Sequence, residues 1–192
     1  MPDHSKQELR KSLRKARRAH VEAQSDAIKA LIFHRPPSAL LARIDDQASV
    51  GLYHSGPFEA PAFGYTKFFL EQGRTVALPR FNSREEPMHF AQHSDPFEES
   101  DLEIGPFGLL QPDQAAPVLV PDILIVPLIG FTSDGDRLGQ GRGHYDRWLE
   151  SHPGRLAIGL AWDTQLCESL PVEAHDVALD AIITPTRSYG LE

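Results

Sequence analysis

The sequence predicts an α/β fold, with one domain over residues 1–192 arranged as three layers around a largely parallel central sheet. Three observations predict it. Short apolar segments such as Ile123–Val126, Leu156–Ala161 and Ala181–Thr184 lack polar alternation, the mark of strands buried on both faces. Helical patterns separate the strand candidates, and that alternation builds parallel sheets. The chain has 192 residues, 41% of them hydrophobic, which is enough for one core without staples.

The elements follow in order. Residues 6–20 read as a helix, because Leu9, Leu13 and Ala16 recur at helical spacing. At about 100° per residue, Lys6, Arg10 and Arg17 project within about 40° of one another beside that apolar stripe. Two readings stand: a solvated basic face, or a row of cations pointing into a cleft. Ser25 caps a second helix running towards His34, Pro36 and Pro37 break it, and Ala39–Ile44 is another short helical piece. Ala48–Tyr53 is a strand, followed by the loop His54–Phe58 and then Glu59. Pro61 suits the first turn of a helix with its body at Ala62–Gln72, and Gly73 stops it. Thr75–Leu78 is a strand ending at Pro79-Arg80, and Met88–Gln92 is a third. Residues 93–121 are rich in Pro, Asp, Glu and Gly, and predict mostly loop with one short helix over Phe97–Leu102. After the strand Ile123–Val126 come a helix at Gly143–Ser151 and the last two strands. This order is that of a Rossmann-like three-layer sandwich.

Charge narrows the partners. The net charge is −8, from 19 Lys and Arg against 27 Asp and Glu. Seven of the cations lie in the first 20 residues, leaving 12 basic and 25 acidic side chains beyond them. An acidic body disfavours binding to nucleic-acid phosphates, while a local basic helix can still hold one small polyanion. The longest nearly apolar run, Ile123–Phe131, contains Pro127 and Gly130, and a membrane span needs about 20 residues. No apolar stretch follows the basic start, so it does not read as a secretory signal. Cys167 is the single cysteine, which excludes an intrachain disulfide and suits a reducing compartment. The expectation is a cytoplasmic monomer with small-molecule substrates, no nucleic acid and no membrane.

The most informative stretch is Asp134-Gly135-Asp136-Arg137-Leu138-Gly139-Gln140-Gly141-Arg142-Gly143-His144-Tyr145-Asp146-Arg147. It follows a buried strand and leads into a helix. Alternating glycines turn the chain sharply and expose consecutive N–H groups, which with the next helix N-terminus make an anion site. Arg137 and Arg142 add fixed charge suited to phosphate, and Asp146 is placed to hold a hydrated Mg²⁺. A hairpin or a tight strand-to-helix turn needs similar residues, so those readings stay open. No Gly-Lys-Ser/Thr follows, which excludes a Walker A loop, and the third glycine comes one residue too early for a dinucleotide fingerprint.

Arg137 to Arg147 resembles the Arg-Leu-Gly-x-Gly-x-Gly-(aromatic)-Tyr-Asp-Arg segment of the 5-formyltetrahydrofolate cyclo-ligases, with His144 in the first aromatic place. The resemblance spans nearly the whole chain: Lys6 to Arg10, Glu59 ahead of a helix, Val76-Ala77-Leu78-Pro79-Arg80, Gly159 with Gln165, Leu170-Pro171, and His175-Asp176 before Ile182-Ile183-Thr184. It implies an enzyme, a ligase forming a carbon–nitrogen bond. ATP phosphorylates the formyl oxygen of 5-formyltetrahydrofolate, and the ring closes to 5,10-methenyltetrahydrofolate with release of ADP and phosphate. It implies ATP as co-substrate and Mg²⁺ as cofactor. It assigns Lys6, Arg10, Arg137, Leu138, Gly139, Gln140, Gly141, Arg142, Gly143, His144 and Tyr145 to ATP. It assigns His54, Glu59 and Tyr145 to the folate, Asp146 and Asp176 to the metal, and Arg137 and Tyr145 to the chemistry. The partners it implies are ATP and 5-formyltetrahydrofolate, a compound that occurs with and without further glutamates, and the sequence does not show which form is preferred.

Four departures stand out. Thr132 and Gln111 each replace a carboxylate common in the family, Ala62 replaces a threonine, and His144 replaces an aromatic and brings a group that titrates near pH ~6.5. A non-catalytic folate- or nucleotide-binding paralogue is therefore the alternative. An RNA-binding module fits the acidic body poorly. A sugar-phosphate isomerase using Asp134 or Asp136 explains neither Arg137 nor the basic helix.

Overall fold

The chain was described as a computed structural model, which covers residues 2–173 and 175–191. Helix α1 (Pro2–Glu22) opens it, followed by α2 (Asp26–Leu31) and α3 (Ser38–Leu41). Then come β1 (Val50–Gly51), α4 (Phe63–Glu71), β2 (Val76–Arg80), β3 (His89–His93), β4 (Leu102–Ile104), β5 (Leu110–Pro112) and β6 (Val118–Leu119). The chain continues with β7 (Ile123–Pro127), β8 (Gly130–Phe131), β9 (Arg137–Leu138), α5 (His144–Ser151) and β10 (Leu156–Leu160). A short 3₁₀ turn (Asp163–Gln165), β11 (Ala181–Ile183) and β12 (Ser188–Tyr189) complete it.

The main sheet runs in the order β12-β11-β10-β7-β1-β2-β3-β6. Its centre, β11 to β2, is parallel, and the strands at both edges are antiparallel. The apolar run of β7 explains its central place, since every second residue enters a different core. Ile123 and Ile125 pack with Val21, Tyr65 and Phe69 on one face. Leu124 and Val126 pack with Trp148 and Leu149 of α5 on the other. Helices therefore cover both faces, as the three-layer expectation requires. No helix among the described residues is long and apolar enough to cross a membrane.

One expectation is corrected. Residues 97–101 form turns and Leu102 begins β4, so no helix spans Phe97–Leu102. The Asp95 carboxylate accepts hydrogen bonds from the N–H groups of Phe97, Glu98 and Ser100 and from the Ser100 hydroxyl. These bonds, led by the hydroxyl, pull Asp95 down to about 2. Side-chain oxygens that capture backbone donors compete with a helix, and Glu99 adopts a left-handed φ of 54° that ends any helical path. The rest of residues 93–121 is mostly loop, as expected, interrupted by three short strands: β4 and β5 pair as a hairpin and β6 adds an edge strand to the sheet.

The loops that follow β1, β2 and β7 gather beyond the carboxyl ends of the parallel strands, where open α/β sheets place their crevices. Residues 52–59, the β2–β3 connection and the β8–β9 hairpin with its glycine turn all lie there.

Candidate functional site

The basic stripe of α1 points inward. The Lys6 ammonium is buried and reaches Asp176 Oδ2 at 2.8 Å and Glu173 Oε2 at 2.9 Å. Arg10 Nε donates to the Gly139 carbonyl at 3.0 Å, and Arg17 Nη1 to the Leu128 carbonyl at 3.3 Å. Arg14, exposed, donates to both the backbone and side-chain oxygens of Gln140 at 3.1 Å. Neither reading of this face holds as it stood: Lys6 and Arg17 are buried and Arg10 is half-buried, yet none of the three lines a cavity, each being spent on a protein acceptor. For Lys6, burial opposes the charge, but the two carboxylates outweigh it and raise the pKa. For Asp176, burial likewise opposes the charge, while Lys6 and the Glu173 N–H lower the pKa.

The glycine segment is only partly a turn. Gly130 pairs with Leu138 and Phe131 with Arg137, so both Arg137 and Leu138 are strand residues. Thr132 accepts from the Asp136 N–H through its hydroxyl at 3.2 Å and from the Gly135 N–H through its carbonyl, which closes this hairpin. Leu138 packs with Leu13 and Ile129. The turn proper is 139–143. Gly141 has φ 102° and Gly143 φ 64°, conformations that side chains resist, and Arg10 lies against the Gly141 Cα.

Arg137, expected as a fixed charge of the glycine segment, is a buried strand residue. One guanidinium nitrogen donates to the Val177 carbonyl and the other to Asp146 Oδ1 at 2.5 Å. Burial lowers its pKa, and the charges of Asp146 and Asp176 oppose that. Asp146 Oδ1 also accepts from the Val177 N–H at 3.3 Å. The two aspartates singled out for a metal are thus each held by a buried cation.

A cavity of about 380 Å³ lies against this turn. Glu59, His54, Tyr145, Arg137 and residues of the turn line it, as does Asp146. Glu59 Oε2 accepts from the Gly56 N–H at 2.9 Å, and Oε1 from the Gln140 amide at 3.0 Å, so the turn and the loop that carries Glu59 touch. His54 Nε2 sits 2.9 Å from Glu99 Oε1. Burial, with the Glu59 charge adding, drives the Tyr145 hydroxyl far above its ordinary value, so it stays protonated. Lys6, Arg10 and Asp176 do not line this cavity; Arg10 stands behind the turn at Gly139, and the other two meet at the start of α1.

Sequence reasoning missed the aromatic wall. Phe81 and Phe107 pack edge-on with ring centres 4.9 Å apart, and His144 lies 4.8 Å from Phe81 and 5.8 Å from Phe107. Burial first, then Arg147 and Arg142, lower the His144 pKa, so the titration expected near ~6.5 moves to lower pH. Gln111 is buried and clamps Phe81 from both sides: its amide oxygen accepts from the Phe81 N–H at 3.0 Å and its amide nitrogen donates to the Phe81 carbonyl at 3.1 Å. A carboxylate makes only the first of these bonds, which explains glutamine there. The available signal was the Gly105-Pro106-Phe107-Gly108 turn, which presents an aromatic ring. A second cavity of about 340 Å³ lies behind His54 and Glu59, between Val21, Phe63, Thr66 and Trp162.

Known proteins share this fold. A solved 5,10-methenyltetrahydrofolate synthetase from Aquifex aeolicus aligns with a TM-score of 0.72 at 24% identity, covering 97% of this chain and 93% of that one. One from Mycoplasma pneumoniae aligns at 0.62 and 24% identity, covering 93% and 97%. These establish the fold. The chain is 26% identical over 189 residues to the 5-formyltetrahydrofolate cyclo-ligase of Haemophilus influenzae, covering 95% of this chain and 99% of that one. It is 47% identical over 70 residues to that of Escherichia coli K12, a stretch spanning 38% of the relative's length, and its match to the Mus musculus protein spans 63% of that relative. The model of the 5-formyltetrahydrofolate cyclo-ligase family matches residues 2–185, and the chain belongs to that family.

Proposed function

We propose that the chain cyclises 5-formyltetrahydrofolate to 5,10-methenyltetrahydrofolate at the expense of ATP, releasing ADP and phosphate. The observation that carries this reading is the convergence of Glu59, His54 and Tyr145 with the turn 139–143 and Arg137 on one cavity. The pteridine enters between Glu59 and the aromatic wall. Glu59 already accepts two N–H donors, and pteridine N–H groups are donors of the same kind. The phosphates lie on the amides of Gly139, Gly141 and Gly143, with Gln140, Arg142 and His144 in the same turn and Arg10 and Lys6 behind it.

The formyl oxygen attacks the γ-phosphorus and ADP leaves. Nitrogen ten, losing its proton, then attacks the activated carbon, and the oxygen departs with phosphate. No protein nucleophile is needed, because phosphoryl transfer rests on positioning and charge stabilisation. Arg137 supplies a fixed charge beside the transferred group. Tyr145, protonated throughout, donates a hydrogen bond and does not accept a proton.

Asp146 and Asp176 fit Mg²⁺. Each spends one carboxylate oxygen on a cation and a backbone N–H, Oδ1 of Asp146 and Oδ2 of Asp176, and keeps the other outside those bonds. A few carboxylates plus phosphates and waters are the usual Mg²⁺ set. When bound, Mg²⁺ neutralises phosphate charge.

The test is to mix protein, ATP, Mg²⁺ and 5-formyltetrahydrofolate and follow the near-ultraviolet absorbance of the methenyl product. ATP-dependent absorbance supports the reading, and none at high enzyme concentration sinks it. Binding of both ligands without absorbance would leave a non-catalytic paralogue, the reading favoured by the internal pairing of Lys6 and Arg137.

A further inference from the structure

Two arginines from different segments converge on one half-buried ring at the cavity. The Arg142 guanidinium carbon lies 4.6 Å from the Phe107 ring centre, and that of Arg84 lies 5.8 Å from it. Arg142 belongs to the glycine turn, and Arg84 to the connection between β2 and β3. Both are exposed, while Phe107 is half-buried and lines the cavity. Arg84 is oriented by its Nε, which donates to the Pro106 carbonyl at 2.9 Å. Among the described residues, no ion pair involves either arginine, whereas Arg137 and Arg155 each have a carboxylate partner. Beyond residue 20, acidic side chains outnumber basic ones about two to one, so two unpaired cations on one ring run against the surface average. Like charges brought together repel unless an anion lies between them. Each guanidinium also keeps most of its donor fork unused, which suits a carboxylate.

We infer that Arg84 and Arg142, gathered on Phe107, form a subsite for the glutamyl carboxylates of the folate substrate. This rests on the folate reading above. The ring half of the substrate occupies the cavity between Phe81, Phe107 and Glu59, and its acidic tail leaves past Phe107 into the arginine pair. A nucleotide phosphate offers similar anionic chemistry. The tail is favoured because Arg84 lies on the β2–β3 connection, outside the turn that takes the phosphates, and because Phe107 belongs to the wall around the pteridine.

The experiment measures equilibrium binding, without ATP, of three probes: 5-formyltetrahydrofolate with one glutamate, the same compound with three, and 5-formyl-6-methyltetrahydropterin, which has no tail. Wild type and Arg84→Gln are compared, with ATP binding measured alongside. Arg84 is exposed, so the substitution leaves the core untouched. Loss of one charge-assisted contact predicts roughly three- to tenfold weaker binding of both tailed probes, more for three glutamates than for one. The tailless probe is expected to bind both proteins alike. Tailed and tailless probes weakened equally, or neither weakened, would overturn the subsite and leave the folate reading standing. A drop in ATP affinity larger than the drop for the tailed probes would reassign the pair to phosphate and also overturn it. Failure of all three folate probes to bind wild type would sink both ideas, and the absorbance assay would then fail as well.

Discussion

The glycine side of the cavity, residues 137–146, and its aromatic side, Phe81, Phe107 and Gln111, are built differently. The first is a backbone construction. A hairpin ends at Leu138, a turn with two left-handed glycines follows, and α5 begins at His144. Its backbone frame lies within ten consecutive residues, braced from outside by Arg10, Glu59 and the Val177 carbonyl. The second is assembled from side chains of the β2–β3 connection and of the β4–β5 hairpin, brought together by Gln111 across a sequence gap of 30 residues. A backbone wall is rigid because its dihedrals allow few residues. A side-chain wall tolerates exchange provided that volume and edge packing are kept. Substitution on the glycine side should therefore damage stability and activity together, and on the aromatic side affinity alone.

The sharpest break is Arg137→Ala. It removes the cation that the buried end of Asp146 faces and frees the Val177 carbonyl. Breaking a buried pair leaves an uncompensated charge, so a loss of about 3 kcal/mol is expected in urea unfolding, with turnover abolished. Unfolding indistinguishable from wild type would return Arg137 to the status of a loop residue.

Next in size is Gly143→Ala. Its φ is 64°, and a Cβ there would meet Arg147 Nη1 at 2.9 Å. A destabilisation of about 1–2 kcal/mol is expected by thermal melting, with ATP affinity reduced. Gly143→Asn should recover much of it, because asparagine tolerates the left-handed region; an Asn variant no better than Ala would show that the backbone is not the reason for glycine.

Phe107→Ala tests the other wall. The ring is half-buried, so stability should change by less than about 1 kcal/mol. The KM for 5-formyltetrahydrofolate should rise about tenfold while that for ATP holds. Equal changes in both constants would remove the division between the walls.

The smallest effect is in the pH profile of stability. Asp176 is held below its ordinary 3.8, so its pairing contributes above that value and is lost as pH falls through the lower, folded one. Lys6 is raised above 10.5, so its share is present below that value and lost as pH rises through the folded one. The melting-temperature gap between wild type and Asp176→Asn should be flat between these limits and close at both ends. A gap that persists in strong acid would mean the pair does not titrate as described.

The same contrast marks what could be read in advance. The strand Ile123–Val126, the helix over residues 6–20 and the glycine segment carry local signatures, and the three-layer fold follows from them. The stripe of Lys6, Arg10 and Arg17 was legible as a stripe, but its inward direction was not, since its partners Asp176, Gly139 and Leu128 lie more than a hundred residues away. The helix expected over Phe97–Leu102 failed because Asp95 offers the backbone a different set of hydrogen bonds.

The sequence alone determined the alternation of layers and the turn with its positive-φ glycines, because periodicity and glycine freedom are properties of neighbours along the chain. Only the tertiary structure decided that Arg137 and Asp146 pair, that Gln111 holds Phe81, and that Phe107 meets two unpaired arginines, because burial and charge partnership depend on which distant segments share the same space.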